Sequence, residues 1–201
     1  MRNYLAAALL LIVYLFPWVV NPSASLTANA YDLAAWASVH PAVQAETPTL
    51  LTCLLLRLPL ACIALLVAFG ARRSALSALV VLVAVAALLP PLEFIHDTGN
   101  PNYRQQAALA LLTLLAGGIG VSGILPRYRG WIAVGIALVG AASSALGLLR
   151  GYELMRGFGL ETQIGVGGVG LALAFAVIAV MLAAGERRAP GTQAFAINQT
   201  G

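Results

Sequence analysis

The run TLLTCLLLRLPLACIALLVAFG (residues 49–70), the turn ARR (71–73) and the run SALSALVVLVAVAALL (74–89) decide the fold. A helix needs ~20 apolar residues to cross ~30 Å of hydrocarbon. The first run has that length, and the second is stopped early by Pro90-Pro91. Neither alternates in the way a barrel strand does. The pair reads as a helical hairpin in lipid with two arginines at its tip.

The same pattern repeats on either side. Apolar segments lie at about 5–20, 106–125, 131–149 and 164–184, which makes six in all. The first resembles a secretory signal with Ala28-Asn29-Ala30 as its cleavage site, but the apolar stretch is long and that site lies ten residues beyond it. A retained helix is the expectation. Composition agrees with lipid as the solvent. Apolar residues make up 61% of 201, charged residues 9%, and mean hydropathy is +0.91. Soluble domains carry roughly 25% charged residues. The expected fold is therefore all-α: one polytopic membrane domain of six transmembrane helices.

All eleven basic residues are arginine. Arg2, Arg72, Arg73, Arg127, Arg129, Arg187 and Arg188 fall on one side of the six segments, with Glu186 as the only acid there. The other side receives Arg104, Arg150 and Arg156, with Asp32, Glu46, Glu93, Asp97, Glu153 and Glu161. Positive charge marks the cytoplasmic face. Both termini are then inside, residues 185–201 form a cytoplasmic tail, and the cell membrane is the expected location. The net charge of +4 is a topology signal, not a nucleic-acid signal. Tyr14, Trp18, Tyr103, Tyr128, Trp131 and Tyr152 fall near the expected interfaces. The largest outer loop, 21–48, contains a short helix over 30–38, with Asn29 as cap and Asp32 behind it. Tyr31 and Trp36 suit a helix lying along the headgroups.

Arg57 is the most informative single residue. It lies about eight residues inside its segment, and a charge at mid-bilayer costs at least ~2.5–3.5 kcal/mol. Pro59 frees a backbone carbonyl beside it. Two roles compete. One is an ion pair with Glu46, Glu93 or Asp97 that staples outer loops to the bundle. The other is contact with an anion, a lipid phosphate, a quinone carbonyl or a cofactor propionate. His40 and His96 are the only histidines, and either could ligate haem iron or a chlorophyll-type magnesium. Both flank prolines in outer loops, where hydrogen bonding is the plainer role. Cys53 and Cys62 are nine residues apart on one helix, about 13.5 Å of rise, too far for a disulfide.

No carboxylate lies within an expected transmembrane helix, and no spacing suits a metal site, a protease or a nucleotide loop. The glycine-rich stretch Gly165–Gly170 lacks the lysine of a phosphate loop. Small residues instead let helices approach closely in lipid. The pairs Gly118/Ser122, Gly140/Ser144 and Gly170/Ala174 have that spacing and imply that segments four, five and six form one packing unit. The leading functional expectation is a non-catalytic accessory subunit of a larger membrane complex, bioenergetic in kind (respiratory or photosynthetic electron transfer). It would pack against membrane lipid and other integral subunits. No cofactor is required, and lipid, quinone, haem or pigment are the candidate ligands. The alternative is a transporter or channel component with a solute site near Arg57 and Pro59. A lipid-acting enzyme using His40, His96 and the outer acids is a weaker third.

Overall fold

A computed structural model describes residues 2–22, 26–70, 74–159 and 161–197. The Ala71-Arg72-Arg73 turn and Asn198-Gln199-Thr200 lie outside them. Six long helices carry the architecture: α1 (Arg2–Leu15), α4 (Leu51–Gly70), α5 (Ala75–Leu88), α6 (Pro101–Ser122), α7 (Arg129–Gly157) and α8 (Val166–Ile197). Short helices α2 (Ala30–Ala37) and α3 (Pro41–Gln44) lie between α1 and α4. Four stretches are long and apolar enough to cross a membrane: Leu51–Gly70, Pro101–Ser122, Pro126–Gly157 and Val166–Arg187. Helices α1 and α5, at 14 residues each, are about 21 Å long and fall short of that.

Contacts fix the direction of each helix. At one end, Tyr4 Oη lies 2.5 Å from Ser74 Oγ and 2.8 Å from Ser77 Oγ. Arg129 there donates to the carbonyls of Phe69 and Ala68, both at 3.0 Å. The Glu186 side chain rests against Gly130 at the same end. At the other end, Tyr14 donates to Leu56 O, and Asn102 on α6 meets Arg57 on α4. The six helices therefore run alternately up and down. The connections that the charge count puts inside meet at one end, called the inner end below.

Helix α7 is the spine, packed most extensively on α8 and α4. Its buried stripe is small: Ala133, Ala137, Gly140, Ser144, Gly147 and Gly151. A Cβ on Gly140 would sit 2.6 Å from the Phe175 ring, and one on Gly147 would sit 3.1 Å from the Leu55 carbonyl oxygen. Leu55 is the residue whose helical donor Pro59 removes, so α7 closes on α4 at the proline. The expected packing unit needs correction. Segment four (α6) packs on α4 and α5, whereas α4 packs on α7, and α7 in turn on α8. Gly118 and Ser122 lie on the exposed face of α6, and a Cβ on Gly118 would meet nothing within 4 Å. The buried face carries Thr113, Gly117 and Gly120, because a 3.6-residue period puts Gly118 a hundred degrees away from Gly117. Gly140 and Ser144 are buried as expected, with Ser144 Oγ donating to Gly140 O at 2.7 Å. Gly170 and Ala174 are half-buried, and Gly170 faces Val13 of α1.

The outer end contains a feature the all-α reading lacks. Pro17 ends α1 before residue 20, and strand β1 (Val19–Asn21) follows. It pairs antiparallel with β2 (Leu26–Ala28) and with β3 (Gln163–Ile164), giving the order β2-β1-β3. Gly165 N and Gly167 N donate to the carbonyls of Trp18 and Pro17, each at 2.8 Å. A Cβ on Gly165 would collide with the Pro17 carbonyl. Part of the glycine-rich stretch thus lets backbone cross backbone, rather than helix pack on helix. Tyr14 and Trp18 are buried core, not interface aromatics, and Trp18 is 0% exposed with Nε1 donating to Tyr14 O. Helix α2 forms where the sequence places it. Asn29 Oδ1 accepts from Tyr31 N and Asp32 N, and Asn29 Nδ2 donates to Asp32. Its Ala30, Leu33, Ala34 and Ala37 face is buried, leaving Tyr31 and Trp36 exposed. At the chain's far end, helix continues to Ile197 through the first part of the expected tail.

Candidate functional site

Arg57 lies in the outer half of α4 and is only 5% exposed. Its Nη1 donates to Asn102 Oδ1 at 2.7 Å, and Asn102 is its one hydrogen-bond partner among the described residues. A guanidinium carries five N–H donors and no acceptor. The predicted partners are elsewhere. Glu46 Oε2 accepts from Thr52 N at 2.8 Å, and its Oε1 accepts from the Thr52 hydroxyl. That carboxylate closes the open N-terminus of α4, where negative charge is favoured. Its other neighbour is Arg150, at 4.0 Å. Glu93 is exposed on a 3-10 turn over Leu92–Ile95, and exposed Asp97 accepts from Asn100 at 3.3 Å. The stapling ion pair is replaced by a hydrogen bond to a neutral amide. The physical reason is that α6 begins earlier than expected, with Asn100 as cap and Pro101 in the first turn, which swings Asn102 over α4.

Arg57 opens on a cavity of about 310 Å³ at the outer end. Helices α2, α4 and α6 and the C-terminal end of α5 frame it, and Tyr31, Ser38, Asn102, Tyr103 and Gln106 supply neutral polar groups. No acid lines it. A buried cation without a counter-charge is costly, and several kcal/mol of desolvation per ion is typical. An oxyanion entering the cavity would offset that cost, because the planar guanidinium fork matches carboxylate and phosphate.

Backbone strain lies close by. Leu50, buried just before α4, has φ of 60°, rare for a bulky residue. Its N–H donates to Val43 O, and its carbonyl accepts from Gln105 Nε2 at 3.1 Å. Gln105 Oε1 is the one buried side-chain acceptor without a partner among the described residues.

The histidines do not share this site. His40 caps α3, its Nδ1 accepting from Ala42 N at 3.1 Å, and its ring packs edge-on to Phe158 at 4.7 Å between centroids. Nδ1 as acceptor puts the hydrogen of a neutral ring on Nε2, leaving no lone pair for a metal. His96 is exposed beyond α5. Neither lies on a long helix, and no cluster of three metal-type ligands occurs among the described residues. Cys53 and Cys62 are free and buried. Asn102 is the site residue that the sequence reading missed, and Asn100-Pro101 was its signal. Comparison with protein-family models, characterised proteins and solved structures finds no match.

Proposed function

We propose that this chain is a non-catalytic integral membrane protein, a subunit of a larger membrane assembly, that holds an anionic ligand at Arg57. All six long helices would cross the membrane, with both termini on the cytoplasmic side. The alternating helix directions support six passages, and the arginine-rich inner end supports the orientation. The shorter α1 and α5 would be accommodated by local thinning of the bilayer. Small extramembrane parts and the lack of acid–base machinery support the subunit role.

One observation carries the ligand role: a 5% exposed arginine that faces a polar cavity without a carboxylate. The transporter reading shares this cavity but finds few polar groups deeper in the bundle. Thr113, Ser143 and Ser144, the buried hydroxyls of α6 and α7, each donate to a carbonyl of their own helix. They offer a passing solute little.

Two measurements test the proposal. Extraction from native membranes in mild detergent should give co-migration with other integral subunits, and migration as a lone monomer or homodimer would end the subunit reading. Arg57→Gln should leave the melting temperature unchanged or raised, because it removes an uncompensated buried charge. Unfolding of that variant would make Arg57 a structural staple and remove the ligand role.

A further inference from the structure

A second cavity, of about 420 Å³, adjoins the first. Tyr31 and Ala87 line both. Its floor is α4, where Leu60, Ile63 and Ala64 are buried. Its walls are α1 and α5, whose lining residues include Leu11, Leu15, Leu79 and Val83, all exposed on the side that would face lipid. Its lining is apolar apart from the hydroxyls of Tyr14 and Tyr31, and the Tyr14 hydroxyl is committed to Leu56 O. From Arg57 to Ala64 the groove follows α4 for about 10 Å toward the inner end. A cationic, polar pocket thus leads into a hydrocarbon-lined, side-open groove. That is the outline of an amphiphile.

We infer that the bound ligand is a single-chain amphiphile with an oxyanion head, carboxylate or phosphate, seated on Arg57 and Asn102, and its tail in the α1–α4–α5 groove. The inference rests on the anion-holding role proposed for Arg57 and adds the chain to it. Charge complementarity selects the head: a zwitterion would bring a cation into a pocket that has no acid to meet it. The modest volume of the groove, about 420 Å³, selects one chain over two. The open side lets the ligand enter from the bilayer without crossing water.

The test uses the full chain in nanodiscs of phosphatidylcholine. A palmitate probe with a diazirine on its chain is photolysed, and adducts are mapped by mass spectrometry. Labelling is expected on Leu60–Ala64 and on the groove residues of α5. The methyl ester of the probe should label at least tenfold less, as should Arg57→Gln with the free acid. A monoalkyl phosphate should compete, and inorganic phosphate at millimolar concentration should not. Ala87→Phe, which narrows the exposed junction of the two cavities, should abolish groove labelling while the protein melts normally. This second variant tests the groove independently of the head contact. Equal competition by inorganic phosphate, with no effect of Ala87→Phe, would overturn the amphiphile inference and leave the anion site standing. Equal labelling by acid and ester, with no competition by either phosphate, would overturn both.

Discussion

Two arginines grip the same helix from opposite ends of the bundle and do opposite things. Arg129 reaches α4 at its C-terminus and donates to the Phe69 and Ala68 carbonyls. A cation is also favoured there by the helix dipole. Arg57 sits within α4, meets Asn102 alone among the described residues, and lines a cavity. At the inner end two donors of Arg129 meet two carbonyls, whereas at the outer end Arg57 faces a cavity. On the proposed reading, charge at a helix end serves the fold, and charge within the helix with donors to spare serves a ligand.

The contrast can be broken by mutation. The largest effect should come from the backbone crossing at the outer end. Gly165→Val sets a side chain against the Pro17 carbonyl, which cannot rotate away. A loss of about 3 kcal/mol or more is expected by reversible unfolding in mixed micelles. A loss below about 1 kcal/mol would mean that the sheet does not hold that end. Arg129→Gln comes next, with about 2 kcal/mol lost as the charged hydrogen bonds to α4 go. Its anion binding should be unchanged, and joint loss of binding and stability would erase the distinction between the ends. Arg57→Gln should reverse that pattern, with stability kept and anion affinity down about tenfold, or ~1.4 kcal/mol. Gly118→Ala is the smallest. It faces open space on α6, so the alanine should stabilise the helix by about 0.5–1 kcal/mol. A clear destabilisation would mean that this face docks closely on another helix.

Much of the fold was legible in the sequence because hydrophobic length and arginine placement are local signals. Segments two to six became helices, and Asn29 capped α2 one residue before it began. Segment one overran because its apolar character continues past Pro17 into Val19-Val20, although the proline marks the stop. The sheet was hidden for a different reason. Its pairing joins residues near 20 to residues near 163, and two-residue or three-residue strands carry no periodicity to read. At the site, the depth of Arg57 was readable, but its partner was not. Glu46 looked available until the fold placed it at the α4 N-terminus, and Asn102 looked like loop until Asn100-Pro101 opened α6. The small-residue pairs failed at Gly118 because spacing alone does not say which face turns inward.

The β1–β3 pairing also dictates an order of events at the ribosome. Val20 is made early, yet its partner Gln163 emerges only after α7 is complete. At ~5–20 residues per second that delay is roughly ten seconds. Until then nothing but β2 occupies the first strand's edges, and α1 waits unlatched beside a half-built neighbour. The last clasp to shut is therefore one whose first half was among the earliest pieces laid down.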